Sequence, residues 1–539
     1  MCTKLAISNH NDPMITQRFF ISAWQRPVWF VIMLLSVSLI QAQVKLQPRQ
    51  LQWLDQAMAQ SVKDFNLPSM SVAIVHDGQL VWSASYGERT SGTGQMATPQ
   101  TLYAVASNTK AFTSAALAQL VDEGKLDWNE RVQHYLPWFE LYDPYVSSEF
   151  RIRDLLCHRS GLATFSGDLL WYGTKWSSKE ILQKAKHLKP TSSFRSRYGY
   201  QNLMFMVAGE VIEAVSGTSW EERVQQQLLG PIGMTASVLS TDDLSERNNV
   251  ASPHNELDSG VQTPIEWLNW DNVAPAGALI SSAEEMAQWM VVQMDSGRTA
   301  TDTLWSSGQT QEMWSMHTPI QVSPWYQKML PTMHFRGYGL GWELYDLQGR
   351  KMVAHSGGYD GMISRQVLVP EEKLGIIILT NANTSVPWGW GHDAISALMS
   401  GKKETPIIDF LLERKLAEPA DLARAEAELL ASRIADAPSS KPSKDYVCRY
   451  SDVMYGDVIV SIQQDTLQFT FEPTPLFQGT LEHWHYDTFR LHWGTQMMLP
   501  KGMAHFSLNL NGHVASLDFD VPNPDFDFTE LHFIKQLMD

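Results

Sequence analysis

The sequence predicts an α+β chain in which a large domain of antiparallel sheet and helices is followed by a small antiparallel β domain, a barrel or a sandwich. Three observations predict it: an Asp-Gly hairpin signal at residues 77–78, strand-like segments interleaved with amphipathic helical ones up to residue 400, and period-two alternation beyond residue 445. At 539 residues the chain exceeds a usual single domain, which fits one large unit and one small one.

Taken in order, Lys4, Arg18 and Arg26 precede an uncharged apolar run from Val28 to Ile40 and then Gln41-Ala42-Gln43. This pattern predicts a signal peptide over residues 1–42 and therefore an exported protein, periplasmic or extracellular. The run is shorter than the roughly 20 apolar residues of a spanning helix. Retention as an inner-membrane anchor is the alternative. Ser71–His76 and Gln79–Ser83 flank Asp77-Gly78, a pair suited to a two-residue turn that needs positive φ at both positions. They open a domain expected over residues 45–400, with Leu374–Thr380 as one of its strands.

Residues 405–444 shift to Ala, Leu, Glu and Arg at helical spacing and end in the linker-like Ala437-Pro438-Ser439-Ser440-Lys441-Pro442-Ser443. Over residues 445–539, Val458, Val460 and Ile462 alternate with polar residues, as do Leu467, Phe469 and Phe471. Phe506, Leu508 and Leu510 lead through Asn511-Gly512 to Ala515, Leu517 and Phe519. Such alternation is that of strands with one buried face.

Acidic residues number 58 against 41 basic, a net charge of −17, so nucleic acid is not an expected partner. Cys157 and Cys448 stand too far apart to suggest a disulfide framework. No Cys-x-x-Cys or His-Glu-x-x-His occurs, and His483 and His485 on one strand face lack a third ligand, so neither metal nor cofactor is expected. The α/β-hydrolase signature Gly-x-Ser-x-Gly and Walker-type phosphate loops are absent as well. Trp388 and Trp390 read either as a groove border or, more simply, as core.

The chemistry concentrates in three short segments. In Ala104-Val105-Ala106-Ser107-Asn108-Thr109-Lys110, Ser107 falls at the start of a helix that ends near Gly124, and Lys110 three residues on shares its face. A serine hydroxyl is a weak nucleophile and requires such a base. Tyr200-Gln201-Asn202 precedes an apolar helical stretch. His355-Ser356-Gly357-Gly358 could bring backbone close to a substrate.

Together, Ser-x-x-Lys, Tyr-x-Asn and His-x-Gly in this order resemble the active-site motifs of the class C β-lactamase and penicillin-binding protein superfamily. Ile152–Leu162 resembles that family's LLxHxSGL stretch, and Leu229–Met234, Pro275-Ala276-Gly277, Tyr338–Trp342 and Leu379-Thr380-Asn381 agree with it too. The resemblance covers roughly residues 50–400. It implies a β-lactamase/transpeptidase-like fold and a serine hydrolase in which Ser107 is acylated, with Lys110 and Tyr200 as the proton-transfer pair. Which of the two is the base stays open. Asn202 would orient Lys110 and the acyl group, and the amides of Ser107 and Gly358 would form the oxyanion hole. His355, Gly357 and Gly358 would contact substrate, whereas His158 reads as structural.

His355 replaces the Lys of the family's Lys-Thr-Gly motif, which helps bind a substrate carboxylate; a neutral His does this poorly. The leading expectation is hydrolysis of small esters, amides or short peptides, including peptides with D-amino acids or derived from peptidoglycan. A β-lactamase or D,D-carboxypeptidase is the enzyme alternative. A non-catalytic receptor for peptidoglycan fragments is the alternative of another class.

Overall fold

The computed structural model describes residues 46–257, 260–494 and 499–536. The expected signal segment, residues 1–42, lies outside them. Among the described residues no helix is long and apolar enough to cross a membrane.

The large domain is built on an eight-stranded antiparallel sheet. Its strands are β1 (Ser69–His76), β2 (Gln79–Gly87), β3 (Thr318–Ile320), β4 (Arg336–Tyr338), β5 (Glu343–Leu347), β6 (Arg350–Tyr359), β7 (Met362–Val369) and β8 (Leu374–Thr380). Their spatial order is β2-β1-β8-β7-β6-β5-β4-β3. The predicted hairpin joins β1 to β2, with Asp77 and Gly78 at φ of 49° and 76°. β8 coincides with the segment predicted as a strand. Its unbroken run Ile376-Ile377-Ile378-Leu379 follows from central placement, because both faces of the sheet are covered.

One face, through Ile376 and Ile378, packs on helices α1 (Pro48–Asp64) and α5 (Val386–Ser400). Trp390 is fully buried there against Trp53 and donates from Nε1 to Ser61 Oγ, so it is core. The other face, through Ile377 and Leu379, packs on α2 (Thr109–Asp122) and α4 (Ala283–Met294), where the Phe112 and Trp289 rings stack with centroids 3.7 Å apart. Helix α3 (Leu203–Ser216) lies beside α2, and Gly209 lets Pro275 approach so closely that a Cβ would meet its Cγ at 2.4 Å. The catalytic candidates gather on this helical side.

Helix α6 (Pro406–Ser432) leads to a closed eight-stranded antiparallel barrel running from Cys448–Asp452 to His532–Lys535. Closure rests on Tyr450 pairing with Lys535, which decides between barrel and sandwich. Val458, Val460, Phe469, Phe471, Leu517, Phe519 and Phe533 fill the interior. The predicted alternation fails at Ile462, which is exposed near the end of its strand, and again beyond Leu508. The strand stops at Leu508, and Asn509 Oδ1 accepts from the backbone N–H groups of Asn511 and His513, closing a longer loop around Asn511-Gly512. Leu510 is thereby fully exposed at the tip, and Val514 rather than Ala515 turns inward.

The barrel shares one continuous apolar core with the helical side of the large domain. Tyr172 packs on Phe526 with centroids 4.4 Å apart, Leu476 sits over Gly173, and Lys175 N–H donates to Pro473 O at 2.9 Å. The linker-like segment lies on the barrel too, with Ser440 Oγ donating to Asp487 Oδ2 at 2.6 Å. Cys157 and Cys448 are both free and buried.

Candidate active site

The peptide chain enters the site through a strained residue. Ala106 holds a left-handed φ of 46°, a conformation that costs a non-glycine residue roughly 1–3 kcal/mol. Surrounding bonds enforce it. Val105 O accepts from Ser364 Oγ at 2.8 Å and from Asn108 Nδ2 at 3.3 Å, and Thr109 Oγ1 donates to Ala106 O at 2.6 Å. Ser107 follows in a single turn of 3-10 helix, Ala106–Asn108, immediately ahead of α2. Its side chain is partly exposed while its neighbours are buried.

Lys110, three residues after Ser107 and in the first turn of α2, is completely buried. Its Nζ lies 3.0 Å from Ser107 Oγ, 2.7 Å from Asn202 Oδ1 and 2.9 Å from Ala276 O. Burial lowers its pKa from 10.5 to about 7, and the nearby Asp168 carboxylate offsets only part of that effect. The amine is therefore available in its neutral form near pH 7. Asn202 Oδ1 and Ala276 O accept hydrogen bonds without donating any here, so a neutral Nζ spends both hydrogens on them. Its lone pair then faces the Ser107 hydroxyl.

Tyr200 and Asn202 sit just before α3. The Tyr200 ring lies 4.9 Å from Lys110 Nζ, and burial raises the phenol pKa, an effect that the facing Ser107 hydroxyl reduces. Tyr200 therefore stays protonated where Lys110 does not. His158 braces this segment: its Nδ1 accepts the Gln201 N–H at 3.0 Å and its ring packs 4.2 Å from that of Tyr200. Burial, with Lys110 next, holds the imidazole neutral well below its usual pKa. This is a structural role for His158.

His355 lies on the site face of β6, with its ring 6.2 Å from that of Tyr200. Both ring nitrogens are engaged, Nδ1 with Ser356 O and Nε2 with the Tyr338 hydroxyl, each at 2.6 Å. Since a carbonyl only accepts, Nδ1 carries the proton and Nε2 accepts from Tyr338. Burial, then Lys110, pushes the pKa of His355 down to about 3, so no cation stands at this position. Ser356 points to the opposite face and accepts from Arg365 Nη1 at 2.9 Å.

Gly357 permits the closest approach in the site. A Cβ there would lie 2.0 Å from Val105 O, so β6 rests directly on the backbone that leads to Ser107. Gly358 is exposed, and a Cβ would meet only Ile363 Cδ1, at 3.6 Å. β5 pairs with β6 only over Arg350–Ala354, so the His355–Tyr359 backbone extends past it with that edge open.

Ser107, Lys110, Tyr200 and Asn202 are thus brought together, with His355 beside Tyr200 and Gly357 against Val105. Three contributors escaped the sequence reading. The Ala276 carbonyl and Tyr338 belong to segments singled out there without an assigned role. Asp168 carried no signal at all, yet its buried carboxylate accepts from Asn202 Nδ2 at 2.6 Å. Burial lifts its pKa to about 7 despite that bond. Among the described residues no group of three or more His, Cys, Asp or Glu is placed to hold a metal ion.

Comparison with known proteins gives the family and the fold. Residues 54–389 match the Beta-lactamase family, and residues 432–535 match a domain of unknown function, DUF3471. An unguisins hydrolase of Aspergillus campestris is 31% identical over 365 residues, which span 65% of each chain. Protein flp of Staphylococcus aureus is 24% identical over 344 residues, 62% of this chain and 63% of that one. The chain thus spans less than two thirds of the length of these relatives.

In solved structures, an octameric penicillin-binding protein homologue from Pyrococcus abyssi superposes with a TM-score of 0.58 at 22% identity. The match covers 89% of this chain and 99% of that one. A D-stereospecific amidohydrolase from Streptomyces sp. gives a TM-score of 0.52 at 23% identity, covering 65% of this chain and 99% of that one. These are likenesses of fold.

Proposed function

The chain belongs to the Beta-lactamase family, and on that premise we propose that it is a serine hydrolase acting through a Ser107 acyl-enzyme on small esters, amides or short peptides. One observation carries the reading: Lys110 is buried, near neutral, and has its two pure acceptors placed so that its lone pair faces Ser107 Oγ at 3.0 Å.

The chemistry then runs as follows. Lys110 Nζ takes the Ser107 proton as Oγ bonds to the substrate carbonyl carbon. The carbonyl oxygen gains negative charge and is met by the amides of Ser107 and Gly358. Tyr200, still protonated, gives its hydrogen to the leaving oxygen or nitrogen as the carbonyl bond to it breaks, and the Lys110 proton replaces it. Water repeats the sequence to free the acid and restore Ser107.

Substrate class is read from what the site lacks. A neutral His355 with both ring nitrogens engaged offers nothing to a substrate carboxylate, which disfavours β-lactams and C-terminal D-alanyl peptides. A relative named for hydrolysing unguisins supports amide bonds as targets. The basic residues and apolar run ahead of Gln41 support action outside the cytoplasm.

Purified protein offered a chromogenic ester, a D-amino-acid dipeptide amide and a cephalosporin tests the proposal. Turnover of the ester or the amide, abolished by Ser107→Ala, is expected. Rapid cephalosporin turnover with neither of the others would overturn the substrate class.

A further inference from the structure

Tyr200 and Asn202 are held by one turn, residues 163–168, and that turn is held by the barrel. Phe165 N–H donates to Tyr200 O at 2.9 Å, Thr164 Oγ1 accepts from Tyr200 N–H at 3.1 Å, and Ala163 O accepts from Gln201 Nε2 at 2.6 Å. At its far end Asp168 accepts from Asn202 Nδ2. Each residue of Tyr200-Gln201-Asn202 is thus fixed by the same turn.

The turn contains one residue in a backbone region that a bulky side chain rarely adopts. Phe165 and Gly167 have φ of 63° and 80°. A Cβ at Gly167 would meet Leu188 Cδ1 at 2.5 Å and Leu203 Cδ1 at 2.8 Å. A bulky residue in the left-handed region persists only where its surroundings over-determine it.

Glu530 supplies that constraint from the barrel. Its Oε1 accepts from Ser166 Oγ at 2.5 Å and its Oε2 from Gly167 N–H at 2.9 Å. Tyr455, also of the barrel, donates to Oε2 at 2.5 Å and so fixes the carboxylate. A continuous path runs from Tyr455 through Glu530, the 166–168 turn, Asp168 and Asn202 to Lys110 Nζ.

We propose that Glu530 is a positioning residue for the hydrolytic centre, holding the 163–168 turn so that Asn202 and Tyr200 meet Lys110 and Ser107 in register. The barrel is then part of the active site's framework, beyond any role as an appended binding module. Glu530 touches neither Ser107 nor Lys110, so its effect is on rate rather than on substrate contact. This rests on the hydrolase reading above.

The test compares Glu530→Ala and Glu530→Gln with wild type, following fluorophosphonate labelling and ester turnover alongside thermal unfolding. Glutamine keeps an acceptor for Gly167 and a polar group for Ser166. Displacing catalytic groups by about 1 Å costs on the order of 100-fold, so Glu530→Ala is expected to slow labelling and kcat by 10–100-fold with KM little changed. Glu530→Gln is expected to recover the rate to within about 3-fold of wild type, since it keeps the geometry that the rate depends on.

A folded Glu530→Ala that labels at the wild-type rate would overturn the proposal and leave Glu530 as a docking contact. So would a folded Glu530→Gln as slow as the alanine variant. If Glu530→Ala does not fold, Ser166→Ala removes one of the two bonds with the barrel unaltered, and wild-type labelling by it would likewise be fatal. Failure of the wild type to label would instead defeat the hydrolase reading.

Discussion

Asn202 Oδ1 lies 2.7 Å from Lys110 Nζ, and both residues are buried, so the amide fixes which way the amine faces. With Ala276 O as the second acceptor, the hydrogen-bond partner of Lys110 Nζ that carries a hydrogen, among the described residues, is the hydroxyl of Ser107.

The pH dependence follows from that arrangement. Lys110 must lose its proton before it can accept one, so acylation rises with pH and levels off above the folded-state pKa of about 7. Initial rates of labelling or of neutral-ester hydrolysis between pH 5 and 10 are expected to show a rising limb centred near 7. A limb centred near 10 would mean that the lysine behaves as a free one.

Lys110→Arg fixes a positive charge at this position and removes the base, because a guanidinium does not deprotonate in a protein. A positioned general base contributes about 100- to 10,000-fold, and a loss of that order in kcat is expected. Stopped-flow ester hydrolysis reads it directly, and activity within a few-fold of wild type would exclude Lys110 as the base.

The two glycines of β6 should part company. Gly357→Ala places a Cβ 2.0 Å from Val105 O and must push β6 off the turn that carries Ser107. A stability loss of about 1–3 kcal/mol is expected together with a loss of labelling. Gly358→Ala meets only a side-chain tip at 3.6 Å and should unfold at the wild-type temperature. Thermal melts of both variants check the contrast.

Tyr338→Phe removes the donor from His355 Nε2 inside a closed environment. Leaving a buried acceptor unpaired costs about 1–3 kcal/mol. Chemical denaturation is expected to show a loss in that range. Unchanged stability would mean that the Tyr338–His355 bond does not hold this face.

How far the site can be read from sequence depends on how local each contact is. Ser107 and Lys110 meet because residues three apart share a helix face. Tyr200 and Asn202 are likewise visible as one short segment. Asp168 and Glu530 lie in stretches with no pattern of their own, and only the tertiary fold brings Glu530 to a turn more than 360 residues earlier. His355 was legible as a departure from Lys, but not its engagement by Tyr338, a contact across strands.

The fold divides the same way. The Asp77-Gly78 hairpin and the strand Leu374–Thr380 follow from local chemistry. Barrel closure depends on Tyr450 meeting Lys535, residues on the first and last strands of the barrel that alternation alone does not bring together. Leu510 breaks the alternation because Asn509 caps a wider loop than Asn-Gly alone suggests.

The central claim is that Ser107 is an activated nucleophile, and intact-protein mass spectrometry after exposure to a fluorophosphonate tests it most directly. One adduct per chain is expected on the wild type, and none on a folded Ser107→Ala variant. Equal labelling of both proteins, or no labelling of the folded wild type, would contradict the account.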